Sequence, residues 1–170
     1  MMSKQDEALD ALTRALALWT MGENAAQPAV DAATACLVAG LDNEPLRELA
    51  GLPAATGPFE TRALLDQVFA ELDADYPEMD KSDAIILVLR HYAELCMNGS
   101  LSARELSTWA HTNVGHEGPQ VTSRIVEMDD DFDLDDLGIS RRKVDPKPII
   151  TEFLVATTTT ELKLRPRISS

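Results

Sequence analysis

Leu9, Leu12, Leu16 and Trp19 follow one another at three- and four-residue steps, and this spacing constrains the fold more than any other feature of the chain. Side chains three and four apart share one helix face, whereas a half-buried strand alternates. The spacing predicts a helix from about residue 4 to 21, ended by Gly22. Pro28 suits the first turn of a second helix, striped by Val30, Ala33, Leu37 and Leu41. Asn43 can cap a short third helix in the EPLRELAGL that follows it, with Pro45 in the first turn and Gly51 just past the end. Leu64, Leu65, Val68, Phe69 and Leu72 predict a helix over 60–74.

Residues 83–97, DAIILVLRHYAELCM, are apolar on more than one side and are the expected most buried helix. A buried strand at 85–89 is the competitor, but Glu94 to Met97 continue the helical stripe. Ser102 with Glu105 makes a capping box, bracketed by Leu101 and Leu106, and sets a helix over about 103–114. Gly118 and Pro119 introduce a shorter helix with Val121, Ile125 and Met128 facing inward. The expected fold is all-α: a bundle of about six or seven helices with a basic, partly β-like C-terminal tail.

The organisation follows from punctuation and charge. LPAATGP (52–58) suggests a linker between lobes 1–52 and 58–140 of an acidic helical domain, and Pro77 places an acidic turn at 73–83. Residues 1–140 carry 8 basic and 26 acidic side chains, whereas 141–170 carry 7 basic and 3 acidic. In that tail, Ile150, Glu152, Leu154 and Ala156 alternate loosely with Thr151, Phe153 and Val155, and Glu161 to Leu164 alternate too. This pattern predicts one or two strands, which would need support from the body or from a second chain, because a lone hairpin is marginal.

A net charge of −14 disfavours nucleic acid and anionic membranes as partners, since both reward Lys and Arg. No signal peptide is apparent in the first twenty residues and no apolar run is long enough to span a bilayer, so a cytoplasmic protein is expected. Cys36 and Cys96 fall inside apolar helical patterns and are expected to be reduced, small and hydrophobic.

Two constellations offer chemistry. MDDDFDLDDLG (128–138) packs six aspartates into eleven residues. A calcium loop needs Gly at position 6 and Glu at position 12. Counting from Asp129 puts Leu134 and Ser140 there; counting from Asp131 puts Asp136 and Arg142 there. Crowded acids instead invite a basic partner, with Asp129, Asp130, Asp131, Asp133, Asp135 and Asp136 supplying charge and Phe132 an apolar anchor. The acids could equally be solvated, or meet the chain's own basic tail.

The second constellation is HTNVGHEG, with His111, His116 and Glu117 close together and His91 on the preceding helix. The two histidines are five residues apart across Gly115, not the one turn of a zinc-protease helix, so the spacing alone does not make them face one another. Hydrolase elbows, phosphate loops, dinucleotide-binding glycines and C-x-x-C pairs are all missing from the sequence.

The stretches AGLDNEPLRELAGL (39–52) and HEGPQVTSRIVEMDDDFD (116–133) resemble segments of small uncharacterised helical proteins of high-GC bacteria, some of which look like immunity proteins of secreted toxin systems. The resemblance covers about a fifth of the chain, implies a bacterial cytoplasmic protein and an inhibitor, and assigns no functional residue.

The leading expectation is a non-enzymatic, immunity-type module that covers a basic protein and needs no cofactor. The alternatives are a metal-dependent hydrolase using His91, His111 and His116 with Glu117 and a nearby aspartate, and a homo-oligomer joined through 141–170.

Overall fold

The structure, a computed structural model, describes residues 1–75 and 78–168. Tyr76 and Pro77, within the expected acidic turn, lie outside the described residues. The described chain is helical: α1 (Lys4–Thr20), α2 (Ala26–Val38), α3 (Glu44–Ala50), α4 (Pro58–Glu71), α5 (Lys81–Met97), α6 (Ala103–Asn113), α7 (Ser123–Asp136), α8 (Pro146–Ala156) and α9 (Thr158–Leu164), with a 3-10 turn at Gln120–Thr122. Among the described residues no helix is long and apolar enough to cross a membrane.

Local chemistry sets these boundaries. Ser3 and Asp6 cap α1 reciprocally, as do Ser102 and Glu105 for α6, and Asn43 accepts from the Leu46 amide at 2.9 Å to start α3. Asp80 caps α5 through the Asp83 amide at 2.7 Å. Every residue from Ala84 to Arg90 is buried, as the all-round apolar pattern of α5 requires.

The chain forms two compact units, residues 1–84 with 161–170, and residues 85–160. In the first, α1 packs on α2 and α4, and α3 joins α2 to α4. Ala15, Ala29, Ala32, Ala33 and Cys36 are almost wholly excluded from solvent, and Leu12, Leu46, Leu49, Leu65 and Phe69 fill the space between. This cluster has members on both sides of residues 52–58, from α1, α2 and α3 and from α4. The second unit packs α6 on α7 and α7 on α8 around Leu106, Ala110, Ile125, Val126, Met128, Ile150 and Phe153.

The β-like tail is overturned. Residues 146–156 and 158–164 are helical, and the only β-type pairing among the described residues is an isolated bridge between Ala74 and Ile168. Ile150, Phe153, Thr157, Glu161 and Leu164 are buried, a three- and four-residue rhythm that outweighs the local alternation. Pro146 occupies the first turn, and the Thr151, Thr157 and Thr158 hydroxyls donate to carbonyls four residues back, so β-branched residues fit the helix without orphaned polar groups.

Lys163 and Arg165, near the chain's end, meet acids within the first unit. The Arg165 guanidinium grips the Asp10 carboxylate with two bonds of 2.7 Å and lies 3.8 Å from Asp6, while Lys163 is 3.5 Å from Asp83. Arg14 donates to Glu161 at 2.6 Å.

Candidate functional site

The aspartate cluster is not a loop. It forms the second half of α7, so its carboxylates radiate from a helix and have different neighbours. Asp129, expected at the surface, is buried between α7 and α6, where it accepts from Thr108 Oγ1 and His111 Nδ1, both at 2.8 Å. Burial pushes its carboxyl up, but these hydrogen bonds and the nearby Arg104 outweigh that and hold it below the ordinary carboxylate range.

One turn on, Asp133 is hydrogen-bonded to Arg104, and Asp136 lies 3.5 Å from the same guanidinium. Arg104 also stacks 5.5 Å from the centre of the Phe132 ring. Phe132 is therefore half-buried under a cation, not the free anchor expected.

The remaining aspartates point elsewhere. Asp131 lies 4.0 Å from Arg124 and, with Arg142 and Lys143, lines a hollow of about 350 Å³. Asp135 accepts the Val144 amide at 3.0 Å; this bond, with help from Ser140 and Lys143, pulls its carboxyl below the usual range. Within the unit, Arg104, Arg124 and the segment that follows α7 thus supply partners for Asp131, Asp133, Asp135 and Asp136.

Helix α7 ends by a left-handed closure at Gly138, whose φ is +70°. The Gly138 amide donates to Asp135 O at 3.0 Å and the Ile139 amide to Leu134 O at 3.2 Å, satisfying carbonyls that the helix leaves open. Leu134, Leu137 and Ile139 are 42%, 71% and 65% exposed around this closure. Leu134 and Leu137 follow Asp130 by four and seven residues, so the three share one stripe on α7. The sequence offers Phe132 and Leu134 as apolar contacts amid the aspartates but does not single out Leu137 and Ile139; the signal for them is Gly138 following a Leu-x-x-Leu step.

Of the histidine constellation, the fold gathers only part. Helix α6 ends at Asn113, and Gly115, at φ +71°, reverses the backbone with its amide donating to Ala110 O at 3.1 Å. A residue with a Cβ adopts that conformation only with strain, which explains the glycine. The reversal brings the His116 ring edge-on to His111, centroids 5.1 Å apart, and sets His116 Nε2 3.2 Å from Asp130 Oδ2. His111 Nδ1 is 3.6 Å from Asp130 Oδ1.

Donor atoms of His111, His116 and Asp130 all lie within 4.8 Å of one another, and this is the one such group among the described residues. His91, on α5 with its ring 5.6 Å from that of Tyr92, and the exposed Glu117 are not part of it. The four-residue hydrolase constellation is therefore not assembled. No family model, curated protein or solved structure matches the chain.

Proposed function

We propose that the protein is a non-enzymatic, inhibitor-type module that binds a basic amphipathic helix of a partner protein at the C-terminal end of α7. The observation that carries this is the exposed trio Leu134, Leu137 and Ile139, flanked by Asp133 and Asp136, whose side chains remain 57% and 75% exposed despite Arg104. Apolar side chains inside a charged rim supply affinity, while the rim selects the sign of the partner. An overall charge of −14 steers a basic chain toward the protein and speeds encounter.

The metal-dependent hydrolase is less favoured, because His91 and Glu117 stand apart from the histidine pair. Assembly through the tail loses its electrostatic argument at Lys163 and Arg165, which meet Asp83 and Asp10 in the same unit.

The test uses a synthetic Lys/Leu amphipathic helical peptide beside a scrambled peptide of equal charge. The amphipathic peptide should bind more tightly at low salt than at high salt, and Leu134→Ser and Leu137→Ser should each weaken it about tenfold. Equal binding of the scrambled peptide, or unaltered affinity in both variants, refutes the proposal.

A further inference from the structure

We propose that His111, His116 and Asp130 form a binding site for a single divalent transition-metal ion of the zinc type, with Asp129 as the positioning residue behind His111. The inference asks for no catalysis and does not rest on the partner surface, although Asp130 shares its stripe of α7 with Leu134 and Leu137.

Imidazole and carboxylate together suit zinc and its neighbours in the first transition row. Zinc bonds of about 2.0–2.2 Å to nitrogen and oxygen place neighbouring donors of a tetrahedral ion roughly 3.3 Å apart. The 3.2 Å separation of His116 Nε2 and Asp130 Oδ2 meets this requirement, and His111 completes a set of three within 4.8 Å.

Asp129 makes the cluster more than a chance gathering of polar groups. A carboxylate only accepts, so the 2.8 Å contact requires the hydrogen of His111 to sit on Nδ1. Nε2 is then the nitrogen left to ligate an ion, in a ring whose orientation is fixed by a carboxylate itself held by Thr108. Carboxylate–imidazole pairing of this kind orients metal-bound histidines and raises their basicity.

The supporting backbone is also specific. The left-handed Gly115 turns His116 back toward His111, and Gly118 is closely overlaid by Val114: a Cβ there would fall 2.2 Å from Val114 Cγ1. The loop is thus held against the end of α6. Three protein ligands at half-exposed positions leave the fourth position for water.

The experiment titrates the full-length protein, stripped with chelator and dialysed, with zinc chloride by calorimetry. Wild type should bind one equivalent. His116→Ala and Asp130→Asn should each lose about tenfold or more in affinity, and Asp129→Asn should lose about 10–100-fold while keeping a single equivalent. Glu117→Gln, a neighbouring exposed acid outside the cluster, should bind as wild type does. Far-UV circular dichroism checks that each variant keeps its helices; His116 is 57% exposed, so its removal should leave the fold intact. The same zinc affinity in wild type and His116→Ala overturns the proposal, as does the absence of binding at millimolar zinc. Several weak equivalents reduced alike by Glu117→Gln and Asp130→Asn also overturn it, because they mark diffuse carboxylate binding.

Discussion

Replacing Arg165 with Met should destabilise the protein substantially at neutral pH and much less in acid. Asp10 is 3% exposed and receives two guanidinium bonds of 2.7 Å; the Arg165 side chain is 17% exposed. Breaking a buried ion pair by removing one partner costs about 3–5 kcal/mol, because the other charge is stranded. Partial exposure of Arg165 argues for the lower end, about 3 kcal/mol. For a denaturant slope of about 2 kcal/mol per M in urea, the unfolding midpoint falls by roughly 1.5 M.

Burial, helped by the nearby Glu161 carboxylate, holds the Asp10 carboxyl above its ordinary value despite Arg165, and removing the guanidinium pushes it further. A carboxyl whose folded-state pKa exceeds its unfolded value destabilises the fold above the folded pKa. The penalty fades as pH falls toward the unfolded value of about 4. Urea melts of Arg165→Met and wild type at pH 7 and pH 4.5 should therefore differ widely at the first and narrowly at the second. Asp10→Leu combined with Arg165→Met should recover most of the loss. A midpoint shift below about 0.3 M at pH 7, or an equal shift at both pH values, would refute the reasoning.

Three further outcomes follow from local geometry. Ser102→Ala removes the side-chain acceptor that caps α6 and should cost about 1 kcal/mol in a urea melt, with the slope unchanged. Gly115→Ala meets no atom closer than His111 O at 3.9 Å, so its penalty is backbone strain of about 1–2 kcal/mol in thermal unfolding. Burial raises the Cys36 thiol to about 12 and Cys96, also beside Glu105, to about 11. Iodoacetamide at pH 8 should therefore label Cys96 slowly and Cys36 only after denaturation, as peptide mass spectrometry would read.

The helices legible in the sequence were those whose ends carry their own chemistry. Ser102 with Glu105, Asn43 with Pro45, and the leucine stripe of α1 each act over a few residues, and the structure follows them closely. The capping box at Ser3 went unread because Asp6 stands where Glu or Gln is usual. Helices α8 and α9 were misread because β-branched residues alternate locally, while the deciding positions, Ile150 through Leu164, span fifteen residues.

The site was legible in composition but not in arrangement. Arg104 meets Asp133 across 29 residues, a pairing that sequence spacing does not encode. The meeting of His111 and His116 depends on one left-handed glycine, which sequence alone offers only as an interruption. Ile125 and Met128 mark in the sequence the helix that leads into the cluster, but aspartates near a helix C-terminus oppose its dipole, so the run to Asp136 is less legible than its start.

The central claim is that the acidic helix α7 is closed on its inner side by Arg104 and His111 and presents its apolar end to a basic partner. Backbone amide shifts of the ¹⁵N-labelled protein, followed during titration with the amphipathic Lys/Leu peptide, test this most directly. The account predicts the largest changes at residues 133–139, with Thr108 and Asp129 nearly still. Changes concentrated in residues 1–84, or no changes at peptide concentrations that saturate calorimetric binding, would contradict it.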